Sequence, residues 1–247
     1  SALHSTSEGQ SYGMFFALVA NDRATFDRLW HWSVAHLGDA LPAWQWGRRD
    51  NGSWGVLDAN SASDADLWFA YVLLEAARLW RVPHFQNAGI KLLKAAAEHE
   101  VASLPGWGKM LLPGRHGFVD GSCWRLNASY LPLPILRRLA VVDSAGPWRE
   151  LAERLPDLIG AIGRQGIVPD WATYQADAAG RGAFAVDAVK GDISSYDAIR
   201  IYLWAGMTNQ ADPQGRALMR LLLPHARRIE RHATPPERMR VSNGALE

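Results

Sequence analysis

The chain has 247 residues, of which 48% are hydrophobic and 21% are charged, and its formal net charge is +1. This balance supplies a sizeable core and shows no excess charge that would point to nucleic acid or an anionic membrane. No run approaches the roughly 18 apolar residues that a transmembrane helix needs, so we expect a protein that is not membrane-embedded. The single cysteine, Cys123, excludes an internal disulfide.

A polar segment near the start of the chain, residues 7–14, reads Ser-Glu-Gly-Gln-Ser-Tyr-Gly-Met and leads into an apolar helix. One of the three hydroxyl residues at 5–7 can act as the N-cap. Glu8 then falls in the first turn, where a carboxylate complements the helix dipole. Gly9 and Gly13 are each less favourable than alanine by roughly 1 kcal/mol in a helix interior, a cost that usually reflects close approach of another group. Glu8 is therefore a candidate functional carboxylate.

Two further helices are predicted to begin with acidic clusters. Residues 62–66 read Ala-Ser-Asp-Ala-Asp and open a long helix, with Ser63 or Asp64 as its cap. Two acids within three residues exceed what one cap requires. Residues 195–200 read Ser-Tyr-Asp-Ala-Ile-Arg and place Asp197 at the opening of another helix.

Tryptophan is unusually frequent, with 12 residues in the chain. Its flat apolar ring suits the C–H faces of sugars as well as a protein core. Trp44, Trp46 and Trp54 lie in a polar region, residues 41–60, where core packing explains them less well than it would within a helix. We expect these three side chains to form an aromatic platform for a flat ligand.

Eight helices are predicted in all, and no pair of segments shows the alternation typical of two strands. Residues 41–60, 104–122 and 180–190 are predicted to be loops because they are rich in glycine, proline or polar residues. Helices that begin with a polar cluster alternate with ordinary amphipathic helices, which favours helical hairpins stacked around an axis. The predicted helices cover about 7–19, 25–37, 62–80, 83–98, 127–140, 147–163, 192–207 and 213–232.

The three acids predict glycoside hydrolysis. Stacked hairpins would open the N-terminal ends of the inner helices onto one face and bring Glu8, Asp64 and Asp197 together. A protonated carboxyl group and an ionised one around a sugar acetal are the usual equipment for hydrolysis. A separation of roughly 6.5–9.5 Å implies inversion of configuration, and about 5–5.5 Å implies retention.

Segments 7–14, 62–66 and 195–200 resemble the signature segments of glycoside hydrolase family 8. Within that family they are most similar to the periplasmic endo-β-1,4-glucanase subgroup that accompanies bacterial cellulose synthase. The resemblance runs along essentially the whole chain. Other similar stretches are 21–23 (Asn-Asp-Arg), 57–60 (Leu-Asp-Ala-Asn), 110–114 (Met-Leu-Leu-Pro-Gly) and 169–171 (Pro-Asp-Trp).

The resemblance implies an all-α fold, an (α/α)6 barrel of helical hairpins, forming a single catalytic domain over residues 1–247. It implies cleavage of cellulose-like β-1,4-glucan with inversion, no metal and no other cofactor. It also implies a periplasmic or secreted protein whose partner is the cellulose synthase and export complex. A complete barrel needs about twelve helices, so the chain is expected to be incomplete at both ends.

Site roles follow from the same resemblance. Glu8 matches the general acid, Asp197 the general base, and Asp64 the acid that holds the distorted sugar. A segment that reads Asn-Pro-Ser-Tyr in the family is Asn-Ala-Ser-Tyr at 127–130, which keeps its tyrosine. The remaining substrate-binding candidates are Tyr130, Arg200, Trp44, Trp46, Trp54, Trp124 and Trp171.

Several alternatives stay open. A related hydrolase would act on xylan, chitosan or mixed-linkage glucan. Another helical sugar enzyme, such as an epimerase or polysaccharide lyase, would use His or Tyr and Arg for proton transfer. Of the eight histidines, His4 is near Glu8, and none lies in a comparable motif. A non-catalytic glucan-binding or scaffold protein would lose one of the acids. Helix capping is a purely structural alternative, which explains any one of the three acids but explains all three together poorly.

Overall fold

A computed structural model of the chain describes residues 3–232 and 234–247. The chain forms two compact units. The first unit runs to Val101 and adds Pro113–Gly117, and the second comprises Ala102–Leu112 and Phe118–Glu247. Each unit is built on four α-helices, so the described residues contain the eight helices that the sequence predicts.

The first unit is organised around its third helix, α3, which is buried along most of its length and packs against α1 and α4. Tyr12 and Phe15 of α1 meet Trp68 of α3 edge to face, with ring centroids 5.4 and 4.9 Å apart. On the other side, Gly89 lets α4 approach, because a Cβ there would lie 2.8 Å from Cγ of Leu74. The four helices are α1 (Ser7–Val19), α2 (Arg23–His36), α3 (Ser63–Trp80) and α4 (Pro83–His99).

The region predicted as a tryptophan-bearing loop contains two strands, so that prediction is wrong in part. β2 and β3 form an antiparallel hairpin, and β1, just before α1, adds to it in the order β1-β2-β3. The hairpin escapes a search for alternation because glycine and arginine interrupt its apolar residues. The three strands are β1 (His4–Thr6), β2 (Gln45–Arg48) and β3 (Trp54–Asp58).

The second unit packs α6 against α5 and α8, and α7 against α5 and α8. Helix α7 begins later than predicted, since Asp197 lies in a turn that precedes it. Pro132 follows a short 3-10 helix, Ala128–Tyr130, and is the N-cap of α5, so the helix predicted over 127–140 is divided before this proline. The helices are α5 (Leu133–Val142), α6 (Trp148–Ile162), α7 (Ile199–Met207) and α8 (Pro213–His232).

In the described part of the chain, eight short strands follow α4, and some of them lie in the segments 104–122 and 180–190 that are predicted to be loops. Four of them form an antiparallel sheet in the order β6-β7-β8-β9, and two further pairs are β4 with β5 and β10 with β11. Their pairing joins segments far apart in sequence, such as β7 and β8, and local pattern does not reveal it. The strands are β4 (Val101–Leu104), β5 (Gly108–Leu111), β6 (Val119–Asp120), β7 (Cys123–Leu126), β8 (Ala172–Ala176), β9 (Gly182–Val186), β10 (Ile193–Ser194) and β11 (Met239–Arg240).

Within the described ranges, every helix is too short or too polar to cross a lipid bilayer.

Candidate functional site

Glu8 lies in the first turn of α1, as predicted. The helix is capped by Thr6, whose hydroxyl accepts a hydrogen bond from the backbone N–H of Gly9 at 3.2 Å, which confirms the prediction of a hydroxyl cap. The indole N–H of Trp44 donates to Oε1 of Glu8 at 3.1 Å. The other carboxyl oxygen, Oε2, is buried and meets no hydrogen-bond donor among the described residues. Among the residues that the structure describes, Glu8 forms no ion pair.

The hairpin of β2 and β3 carries a stack of tryptophans beside α2. The rings of Trp46 and Trp54 stack with centroids 5.1 Å apart and an angle of 25° between their planes. The rings of Trp32 and His36 in α2 pack edge-on against Trp46, with centroid distances of 5.3 and 5.2 Å, and support it. Trp54 keeps 49% of its surface exposed and Trp44 keeps 38%. The hairpin therefore offers aromatic surface on a fixed base.

The start of α3 is more deeply buried than a capping role requires. Ala62 is the N-cap and no side chain caps the helix, so the prediction that Ser63 or Asp64 does so is wrong. Ser63 is instead the first helical residue, and its backbone N–H donates to the carbonyl of Pro113 at 3.0 Å. Asp64 is only 2% exposed, and its Oδ1 accepts from the N–H of Ala65 at 2.9 Å.

Two buried acids beside Asp64 form a pair that the sequence analysis missed. Asp66 and Glu100 are 1% and 0% exposed, and their carboxyl groups lie close enough to shift each other's pKa. Burial raises the pKa of Asp66 well above its usual value, and the negative charges of Glu100, Asp64 and Glu8 raise it further. Burial also raises the pKa of Glu100 to about 7, although a hydrogen bond from Ser61 opposes that rise. The sequence at the polar end of α4 does not predict this buried pair, because an acid at such a position is usually exposed.

Asp197, in the second unit, is held from two directions. Nη2 of Arg200, three residues on, donates to its Oδ1 at 2.7 Å, and the indole N–H of Trp171 donates to its Oδ2 at 3.0 Å. The guanidinium of Arg200 also lies over the ring of Tyr130, 5.3 Å from its centroid. Four of the predicted site residues are thus brought together in this unit, with 35% of the Asp197 side chain exposed.

Asp170 fixes the turn that carries Asp197. Its Oδ1 accepts from the backbone N–H groups of Ser195 and Ala198 at 2.7 and 2.9 Å, and the Ser195 hydroxyl donates to its Oδ2. From the sequence, Asp170 is distinguished only as part of the Pro-Asp-Trp stretch, with no role of its own. Trp171 follows directly, so one short segment supports Asp197 through both its backbone turn and its carboxylate.

Trp124 lies apart from the contacts of Asp197. It is opposite Tyr174 in the pairing of β7 with β8, and the two rings are 6.1 Å apart. Arg125, the next residue, points to the other face of the sheet, where its guanidinium lies 4.9 Å from the ring centroid of Trp171. Trp124 therefore belongs to the aromatic packing around Tyr174.

The described residues contain no group of three or more His, Cys, Asp or Glu side chains arranged to hold a metal ion.

Comparison with known proteins gives a consistent result. The family model of glycosyl hydrolases family 8 matches residues 1–246. The chain is 46% identical over 245 residues to an endoglucanase of Xanthomonas axonopodis pv. citri, covering 97% of this chain and 62% of that protein. It is 45% identical over 247 residues to an endoglucanase of Escherichia coli (strain K12), covering 98% and 66%. The chain thus spans just under two thirds of the length of these curated relatives.

Solved structures agree. The endo-1,4-D-glucanase from Vibrio fischeri ES114 is similar with a TM-score of 0.93 and 42% identity, covering 99% of this chain and 71% of that one. The endo-β-1,4-glucanase CMCax from Acetobacter xylinum gives a TM-score of 0.86 and 26% identity, covering 99% and 75%. Structures of this family are (α/α)6 barrels, so the predicted fold class is confirmed.

Proposed function

The chain belongs to glycosyl hydrolase family 8, and on that premise we propose that it is an endo-β-1,4-glucanase that hydrolyses cellulose-like glucan with inversion. The names of its relatives, endoglucanases at 45–46% identity, support this activity. We take its two units to be parts of one catalytic domain over residues 1–247, in accord with a family match that runs through both of them.

One observation carries the assignment of roles: the two carboxyl groups have opposite electrostatic surroundings. Each is held by an indole N–H, from Trp44 for Glu8 and from Trp171 for Asp197. Asp197 has the guanidinium of Arg200 as counter-ion, whereas Glu8 forms no ion pair with any described residue. A general acid must be neutral before it acts and a general base must be ionised. We therefore assign Glu8 as the acid and Asp197 as the base.

In the proposed reaction the proton of Glu8 moves to the glycosidic oxygen as the bond from that oxygen to C1 of the sugar breaks. The bonding electrons go to the leaving oxygen. A water molecule attacks C1 from the opposite face and gives a proton to Asp197. The product is a reducing end of inverted configuration. In inverting glycosidases generally, the two carboxyl groups are roughly 6.5–9.5 Å apart, which leaves room for the water.

Substrate contacts are assigned to the aromatic and polar side chains around each acid. The exposed ring of Trp54, supported by Trp46, and the ring of Trp44 offer stacking faces for glucose units. Asp64 would hold the sugar at the cleavage point, as the family resemblance implies. In the second unit, Tyr130, Arg200 and Trp171 surround Asp197 and would contact glucan. Trp124, whose ring packs beside Tyr174, stays a predicted substrate contact.

The same proposal places the protein in the periplasm or outside the cell, acting on glucan made by a cellulose synthase and export complex. The resemblance of segments 7–14, 62–66 and 195–200 to that subgroup supports it. Fractionation of producing cells, with cross-linking to the synthase, tests both points. Recovery of the protein only in the cytoplasm would contradict the location.

The activity is tested by incubating the chain with carboxymethylcellulose, xylan, chitosan and mixed-linkage glucan and measuring new reducing ends. We expect the fastest release from carboxymethylcellulose. The first anomer to appear from a cello-oligosaccharide, followed by proton NMR, should be the inverted one, and Asp197→Asn should not form it. Preference for xylan or chitosan would instead support a related hydrolase. Binding to cellulose without any release would support a glucan-binding protein.

A further inference from the structure

Asp66 and Glu100 are buried in the first unit, and three of their four carboxyl oxygens have no hydrogen-bond donor in the described part of the chain. No N–H or hydroxyl group among the described residues reaches either oxygen of Asp66 or Oε2 of Glu100. Two ionised carboxylates in contact would repel strongly in a buried site. Both carboxyl groups are buried and three of their four oxygens lack such donors, so a proton shared between them would remove the repulsion. An acid pair of this kind titrates as a unit.

We propose that Asp66 and Glu100 are bridged by a proton at neutral pH, and that this bridge positions Asp64 in the reaction proposed above. The existence of the bridge is independent of the proposed function, whereas its role in catalysis rests on it. Asp66 and Glu100 are positioning residues, because neither is assigned any contact with substrate.

Hydrogen bonds connect the bridge to the residues at the start of α3. Oε1 of Glu100, just after α4, accepts a hydrogen bond of 2.6 Å from the hydroxyl of Ser61. The same hydroxyl oxygen accepts from the backbone N–H of Arg115 at 3.1 Å. Asp66 completes the arrangement from inside α3, two residues beyond Asp64. The bridge therefore ties the end of α4 to both sides of Asp64, and losing it would release the turn that presents this side chain.

Charged groups from three segments of the first unit act on the bridge. Glu8 of α1 and Asp64 of α3 bring negative charge towards Asp66, and the guanidinium of Arg115 brings positive charge towards Glu100. Burial raises the pKa of both acids, and the proton is assigned to the pair and not to either side chain. Deprotonation of the bridge would leave two ionised carboxylates, at residues 66 and 100, beside Asp64.

The raised pKa values of both acids determine how the stability of the protein changes with pH. Burial raises both pKa values in the folded protein above those of the unfolded chain, which lie near 4. The folded state therefore holds protons that the unfolded state has lost. The stability contributed by the pair is fully present below about pH 4 and is lost as the pH rises through about 7 and above.

The bridge is tested by thermal unfolding between about pH 4 and about pH 9. Asp66→Asn and Glu100→Gln each leave an amide that donates to the remaining carboxylate and remove one raised pKa. Glu98→Gln is the matched control, since its side chain is 75% exposed. We expect the midpoint of the parent and of the control to fall in parallel as the pH rises, and that of both bridge variants to fall less.

Infrared spectroscopy provides a signature that is independent of stability and of activity. The parent and the control should show the carbonyl stretch of a buried protonated carboxyl group at neutral pH, and the two amide variants should lose it. Equal pH slopes in all four proteins, or the same carboxyl signal in all four, would overturn the bridge.

The positioning role is tested by kcat and KM on a soluble glucan. Asp66→Ala, which leaves nothing in place of the bridge, should lower kcat roughly tenfold to a hundredfold with little change in KM. Asp66→Asn should restore most of kcat and hold it to higher pH than the parent. Unchanged kcat in Asp66→Ala overturns the role. An inactive parent that still passes the stability and infrared tests would refute the proposed function, and the positioning role with it, but not the bridge.

Discussion

The indole N–H of Trp171 donates a hydrogen bond of 3.0 Å to Oδ2 of Asp197. With Arg200 on Oδ1, this bond engages both oxygens of the carboxylate and fixes the plane in which it can receive a proton. The orientation of the proposed base therefore depends on a tryptophan as much as on its ion pair.

Trp171→Phe removes this donor and keeps an aromatic ring. A hydrogen bond to a charged group is worth roughly 1.5–3 kcal/mol, so kcat should fall roughly tenfold to a hundredfold. The matched control is Trp107→Phe, because the indole N–H of Trp107 is buried without a partner among the described residues and no such bond is lost. Equal kcat values for the two variants would show that the bond does not orient Asp197.

Asp170→Ala should destabilise the turn that carries Asp197. The substitution leaves the N–H groups of Ser195 and Ala198 without their shared acceptor, and each buried unpaired group costs about 1–3 kcal/mol. Urea unfolding measures the loss. Asp170→Asn keeps an oxygen for the same N–H groups and should recover most of it. If Asp170→Ala unfolds at the same urea concentration as the parent, Asp170 does not hold this turn.

Trp54→Ala should weaken the binding of a cello-oligosaccharide by roughly 1–3 kcal/mol, by analogy with the stacking of aromatic side chains on other flat ligands. Titration calorimetry in a Glu8→Gln background measures binding without hydrolysis. Leu79→Ala is the control, since Leu79 is similarly exposed, at 51%, and lies at the far end of α3. An unchanged affinity for Trp54→Ala would assign this ring to the scaffold.

The helices could be predicted from the sequence because their signals are local. Apolar residues recur at helical spacing, a hydroxyl cap precedes Glu8, and Pro132 lies between one helical segment and the next. Glu8 and Asp197 could be singled out because each lies within a distinctive polar segment. Their roles remain predictions that the experiments above and below test.

The supporting contacts could not be predicted because they join distant parts of the chain. Trp44 reaches Glu8 through the pairing of β1 with β2, and Asp170 reaches the turn at 195–198 across 25 residues. Glu100 is another such case: it follows a polar helix end, where sequence favours exposure, yet it is buried near Asp66 of a different helix. Capping of α3 was mispredicted for a related reason, since Ser63 and Asp64 face the interior.

The most direct test of the central claim is reducing-end release from carboxymethylcellulose by three proteins: the parent, Glu8→Gln and Glu98→Gln. Because a positioned general acid contributes about 10²–10⁴-fold, release by Glu8→Gln should fall by that factor while its affinity for cello-oligosaccharides is kept. Release by Glu98→Gln, which changes an exposed carboxylate, should equal that of the parent. Undiminished release by Glu8→Gln would contradict the assignment of the acid, and no release by the parent would contradict the proposed glucanase itself.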